Sequence, residues 1–141
     1  PLTDKLIQDD PACGQIESIA ISERNANEVY VATGDTVYKS ADRGGTWTKT
    51  AASAITRGND PWRSAGERLA VDPRNGNVLY FGTRRNGLLR SINGGASWTT
   101  VPASQIPFGT ENIRVTFVVF DKNGGTTASG ACRVIFVGVA N

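Results

Sequence analysis

Ser40-Ala41-Asp42-Arg43-Gly44-Gly45-Thr46-Trp47 and Ser91-Ile92-Asn93-Gly94-Gly95-Ala96-Ser97-Trp98 are two copies of one phrase, Ser-x-Asp/Asn-x-Gly-x-Thr/Ser-Trp, set 51 positions apart. Each copy follows a β-rich stretch, so the phrase marks a hairpin turn that recurs once per structural unit. A period near 50 residues with several strands per unit predicts a propeller or a related β-array.

Working outward from the tryptophans, Ser18-Ile19-Ala20-Ile21 falls over Arg68-Leu69-Ala70-Val71, and Val29-Tyr30-Val31-Ala32 over Leu79-Tyr80-Phe81-Gly82. The offset is 50 until one extra residue enters near Arg84. In each unit the first strand is short and mostly apolar, as expected when both faces are covered. A turn rich in Asn and Asp closes it: Glu23-Arg24-Asn25-Ala26-Asn27, then Asp72-Pro73-Arg74-Asn75-Gly76-Asn77. A second strand follows, then a third over 36–40 or 87–91, then the repeated phrase and a fourth strand starting at the tryptophan.

Four antiparallel strands per unit make a β-propeller blade. A third unit opens at Arg114-Val115-Thr116-Phe117-Val118-Val119-Phe120, is expected to turn through Asp121-Lys122-Asn123-Gly124-Gly125, and reaches Arg133-Val134-Ile135-Phe136-Val137-Gly138-Val139. The sequence therefore predicts an all-β chain in which 1–141 is a partial propeller domain. Blade 1 covers about 15–55, blade 2 about 66–103, and an incomplete blade 3 about 112–141. A closed propeller takes about four to eight blades, so about two and a half are expected here. An unpaired strand edge favours association, with remaining blades or with another copy.

Composition narrows the function classes. With 39% hydrophobic and 20% charged residues the chain reads as globular, and a net charge of +2 is too small an excess to predict nucleic acid as a partner. No run reaches the roughly 18 apolar residues of a membrane span, and no signal peptide opens the chain. The start at Pro1, without any methionine, reads as a mature form or an excised piece. With no histidine, Ser-His and Cys-His nucleophilic catalysis and most zinc chemistry are excluded. No metal or other cofactor is expected, and any catalysis would rest on carboxylates. Cys13 and Cys132 allow one bridge if they meet, and are read as two buried free thiols. Asp4, Asp9 and Asp10 make an acidic start without an Asp-x-Asp-x-Asp-Gly calcium loop, and are read as a solvated terminus.

The repeated phrase has a mechanical role that needs no ligand. Asp42 or Asn93 accepts hydrogen bonds from backbone N–H groups ahead of it, with Ser40 or Ser91 beside it. Gly44 or Gly95 supplies a backbone conformation other residues avoid, and Trp47 or Trp98 packs into the blade interface. Asn93 supports this reading, since losing the charge would damage an acid or a metal ligand but not a hydrogen-bonding turn.

The phrase resembles the Asp-box, or BNR repeat, of sialidases, sortilin-type receptors and several glycoside hydrolases. The words between the copies are more specific: the run from Gly58 through Trp62-Arg63 to Gly66-Glu67-Arg68-Leu69-Ala70-Val71-Asp72-Pro73, then Asn77-Val78-Leu79-Tyr80-Phe81-Gly82-Thr83-Arg84, then Gly87-Leu88-Leu89-Arg90-Ser91. Together with Arg133-Val134-Ile135-Phe136-Val137-Gly138-Val139-Ala140 they resemble the N-terminal propeller of the glycoside hydrolase family 74 xyloglucanases. That resemblance implies a secreted parent of two propellers holding xyloglucan, a branched β-1,4-glucan, in a cleft and hydrolysing it with inversion by one aspartate from each propeller. It also implies that both aspartates lie outside this chain, which alone would be inactive. The alternative is a non-enzymatic Asp-box module binding a protein or a glycan.

In a propeller, loops entering the innermost strands share one face with the second-to-third-strand connections, and the Asp-boxes lie on the other. The 58–67 segment enters blade 2 on the first of these faces. Trp62 offers a flat surface to a pyranose ring, and Asn59, Asp60, Arg63 and Glu67 offer hydroxyl partners. The plainer expectation is that Arg63 or Arg68 pairs with Glu67 and that Trp62 caps the core. Two features depart from the family pattern: Ala32-Thr33-Gly34-Asp35-Thr36-Val37 makes a tight connection where a longer loop is usual, and Trp62 replaces a common glycine.

Overall fold

The computed structural model describes residues 3–33, 36–52, 67–83, 86–102, 104–106 and 114–140. Strands β1 (Ile16–Ile21), β2 (Val29–Thr33), β3 (Val37–Ser40) and β4 (Thr48–Lys49) form one antiparallel sheet in sequential order. β5 (Leu69–Val71), β6 (Leu79–Gly82), β7 (Leu88–Ser91) and β8 (Thr99–Thr100) repeat it. β9 (Arg114–Thr126) and β10 (Cys132–Ala140) make a two-stranded third sheet. The registers match as well: Val29 pairs with Ser40 as Leu79 pairs with Ser91.

The central strands are buried on both faces, which explains their unbroken apolar character: all five residues of β2 are inaccessible. Between the first two sheets, Tyr30, Ala32 and Val37 pack on Leu69, Leu79, Phe81 and Leu89, with Trp98 at the margin. Between the second and third, Leu88, Ala70 and Tyr80 meet Val115, Val118 and Ile135, and Tyr80 contacts Phe120 edge to face at 5.8 Å. A Cβ on Gly82 would stand 2.2 Å from a Val115 methyl, so this approach requires glycine.

The outer side of the first sheet is covered by the chain's own start. Helix α1 (Asp4–Asp9) and a 3-10 turn at Pro11–Cys13 lay Leu6 and Cys13 on Val29, Val31 and Tyr38, with Trp47 packed against them. Asp10 is therefore not part of a solvated terminus. Its carboxylate accepts from the Tyr38 hydroxyl at 2.6 Å and from the Ala12 N–H at 3.1 Å, because burying Leu6 and Cys13 brings the intervening residue down onto the sheet.

Each repeated phrase is a closed hydrogen-bond circuit. In the first, Ser40 Oγ accepts from the N–H groups of Asp42 (3.2 Å) and Gly44 (2.7 Å) and donates to Asp42 Oδ1 (2.8 Å). Asp42 in turn accepts from the Thr46 N–H and the Thr46 hydroxyl, both at 2.8 Å. In the second circuit Ser91, Asn93, Gly95 and Ser97 repeat these bonds, except that Asn93 Nδ2 donates to Ser97 Oγ at 2.8 Å. The hydroxyl thus reverses from donor to acceptor when the carboxylate becomes an amide. Gly44 and Gly95 sit at φ 89° and 87°, and the residue before each is also left-handed, Arg43 at 61° and Gly94 at 65°. Trp98 Nε1 donates across the interface to Thr50 Oγ1 of the preceding sheet at 3.3 Å.

Asp72 is more than a turn residue. Wholly buried, it accepts from the N–H groups of Arg74 (2.8 Å) and Asn75 (3.1 Å) and, through its other oxygen, from the Cys132 N–H of the next sheet at 2.7 Å. At the same place in the first unit stands Ser22, whose hydroxyl is buried without a hydrogen-bond partner among the described residues.

In the third unit the chain does not reverse at Asp121 to Gly125. Asp121 pairs with Val134, and the next pair is Thr126 with Cys132, so 122–125 bulge out of the ladder. Asp121 Oδ1 does hold a local turn by accepting from the Asn123 N–H at 2.8 Å, but the ladder resumes beyond it. Reversal comes at residues 127–131, where the Thr127 N–H bonds the Ala131 carbonyl at 2.8 Å.

Two tests follow from these bonds. The Asp42 carboxyl is held at about 2 rather than 3.8, by the Thr46 N–H first, then the Thr46 and Ser40 hydroxyls. A depressed carboxyl contributes stability that is complete above pH 3.8 and lost as pH falls toward 2. Thermal melts across that range should show a smaller acid loss for Asp42→Asn than for the parent chain, with the turn retained as it is at Asn93. Asp72→Ala should lower stability on the order of 3 kcal/mol by stranding three backbone donors, whereas Ser22→Ala should shift it by under about 1 kcal/mol in urea titrations.

Candidate functional site

Because the strands alternate direction, the starts of β1 and β5 and the β2–β3 and β6–β7 connections lie at one end of the sheets. The two hydrogen-bonded boxes and the 23–28 and 72–77 turns lie at the other. The first end carries Glu17, Ser18, Glu67 and Arg68, all at or just ahead of the innermost strands.

These four residues tie the first two sheets together. Glu17 pairs with Arg68, both largely buried, and Ser18 Oγ donates to Glu67 Oε2 at 2.6 Å while accepting from the Leu69 N–H at 3.1 Å. The same stretch also binds forward. The Glu67 carbonyl accepts from the Val118 N–H at 3.1 Å, and the Arg68 carbonyl accepts from the Gly82 N–H at 2.8 Å.

Glu67 and Arg68 thus do not pair with each other. Each side chain finds its partner on the preceding sheet instead, Glu67 on Ser18 and Arg68 on Glu17. Glu67 remains exposed beside Ser18, with its carboxylate direction set by the 2.6 Å bond. The remaining residues of the candidate loop, Asn59, Asp60, Trp62 and Arg63, lie outside the described residues.

The connections on this face are short. The Thr33 N–H donates to the Thr36 carbonyl at 2.8 Å, and Thr83 makes the same bond to Gly87 at 2.9 Å, reinforced by its hydroxyl at 2.7 Å. Sequence reasoning singled out Glu67 but missed Glu17 and Ser18. The signal was present, since Glu17 stands 50 positions before Glu67 in the aligned units.

Nothing else among the described residues competes as a centre of chemistry. Among the described residues, no group of three or more Cys, Asp or Glu side chains has the arrangement to hold a metal ion. Both cysteines are free and buried. Burial, followed by the nearby Asp10 carboxylate, pushes the Cys13 thiol up, and burial with Asp72 does the same at Cys132. Both thiols are therefore held in the unreactive protonated form at neutral pH.

No family model matches the sequence. Known proteins do. The xyloglucanase Xgh74A of Acetivibrio thermocellus is 37% identical over an alignment that takes in 100% of this chain and 19% of that enzyme. Among solved structures, the glycoside hydrolase family 74 xyloglucanase of Xanthomonas campestris superposes with a TM-score of 0.76 at 33% identity, over 98% of this chain and 22% of its own. The family 74 enzyme of Niastella koreensis gives 0.74 at 34% identity, over 88% and 19%. The chain thus spans about a fifth of the length of the relatives it matches. Agreement of sequence with fold along the whole of that span makes this chain a partial member of the glycoside hydrolase family 74 xyloglucanases, built of propeller blades.

Proposed function

We propose that the chain supplies blades and part of one cleft wall to a secreted enzyme that hydrolyses xyloglucan. The observation that carries this is identity of 37% to a xyloglucanase along the entire chain. Inverting hydrolysis takes a protonated carboxyl to donate to the leaving oxygen and an ionised one to activate water, about 6.5–9.5 Å apart. On the family resemblance both come from other segments of the parent, so this chain holds sugar rather than cleaving it.

Within that role Trp62 stacks on a pyranose ring, and Asn59, Asp60 and Arg63 bond its hydroxyls. Glu67 accepts from a further hydroxyl with the oxygen that Ser18 does not occupy. The Glu17–Arg68 pair and the Ser18–Glu67 bond support this reading by tying the first two blades together at this face. Sugar recognition by such a wall is weak per residue, because each hydroxyl bond replaces one to water.

Isothermal titration with xyloglucan oligosaccharides tests it. We expect millimolar binding without release of reducing ends, weakened about tenfold or more by Trp62→Ala and less by Glu67→Gln. Binding undiminished by both substitutions would remove this loop from the wall. No binding by the parent chain would remove the sugar-holding role.

A further inference from the structure

At the box end of the sheets the three units differ. The first two turn back at 23–28 and 72–77, whereas the third hairpin runs on past Asp121 and reverses at 127–131. This overhang is fastened to the second sheet's turn. The Arg74 guanidinium donates twice to the Lys122 carbonyl, from Nε at 3.2 Å and from Nη2 at 2.7 Å. Asn75 Nδ2 donates to the Ser129 carbonyl at 3.0 Å, and the buried Asp72 carboxylate accepts from the Cys132 N–H.

Between the overhang and the two earlier turns lies a recess of about 400 Å³, lined by Glu23, Arg24, Pro73, Arg74, Lys122 and Gly130. Its residues belong to the turns and the overhang, so it lies beyond the ends of β1 and β5 rather than on a face by which one sheet stacks on another. Three cationic residues and one carboxylate line it. Lys122 Nζ pairs with Glu23 Oε1 at 2.5 Å. Arg74 spends one edge of its guanidinium on the Lys122 carbonyl, and Arg24 makes no hydrogen bond or ion pair among the described residues. Asp72, behind the recess, already accepts from three backbone N–H groups.

We propose that this recess binds a small oxyanion, a carboxylate or a phosphate, taken up by Arg24 and Arg74 with Lys122 as the third donor. Arg24 and Arg74 stand 50 positions apart, at the same place in successive turns. A guanidinium presents paired N–H groups that match the oxygens of either anion. Arg74 is set in direction before a ligand arrives, which lowers the ordering cost of binding. Glu23 occupies one donor of Lys122 and competes with the incoming anion, so removing its charge strengthens the site.

Titration of the intact chain with inorganic phosphate and, separately, with glucuronate, followed by amide chemical shifts, tests this. Millimolar, saturable binding is expected, with shifts at Arg24, Arg74 and Gly130 and weakening as sodium chloride is raised. Arg24→Gln should weaken binding about tenfold. Lys49→Gln, an equal charge change on β4, should leave it unchanged. Glu23→Gln should tighten it severalfold, a gain that damage to the fold would not produce. The tighter of the two probes identifies the class of anion. No saturable binding of either probe overturns the proposal, as would equal losses from Arg24→Gln and Lys49→Gln or a loss from Glu23→Gln.

Discussion

Everything in this chain depends on apolar contact between successive small sheets. A sheet with outer strands of two residues cannot stand alone, and these sheets are inaccessible at their centres only because neighbours cover both sides. Tyr30, Ala32 and Val37 against Leu69, Leu79 and Phe81 is the contact from which the others are copied. The polar groups at each interface sit at its ends, where most of them are hydrogen-bonded and Ser22 is an exception. Asp72 and the two boxes close one end, and Glu17, Ser18, Glu67 and Arg68 close the other.

The two ends of the sheets use their polar groups differently. The box end turns inward, its side chains consumed in bonds to their own backbone, so that Asp42 is held ionised by the turn it closes. At the opposite end the bonds run between sheets. A carboxylate pinned by a neighbouring blade keeps its direction without closing on itself, as Glu67 does. Fixing polar groups before a ligand arrives lowers the ordering cost of binding it.

The first sheet shows that coverage need not come from another sheet. Leu6 and Cys13, brought down by α1 and the turn after it, satisfy Val29, Val31 and Tyr38. Nothing in the periodicity of the first fifteen residues announced this. The acidic look of Asp4, Asp9 and Asp10 pointed to solvent, while the deciding contacts were two apolar side chains and a single tyrosine hydroxyl.

By itself the sequence determined the unit: four strands closed by Ser-x-Asp/Asn-x-Gly-x-Thr/Ser-Trp, repeated near 50 residues, with the family written in the words between. These are local properties, since turn chemistry and strand burial patterns depend on residues a few positions apart. Only the tertiary structure decided which charges pair. Glu67 and Arg68 look like partners when adjacent in a line of text, yet each is satisfied across the sheet interface by a residue about 50 positions away. The turn of the third unit was misplaced for the same reason. Asp121 and Gly125 carry every local mark of a reversal, but the pairing of Thr126 with Cys132 outweighs it and turns the reversal into a bulge.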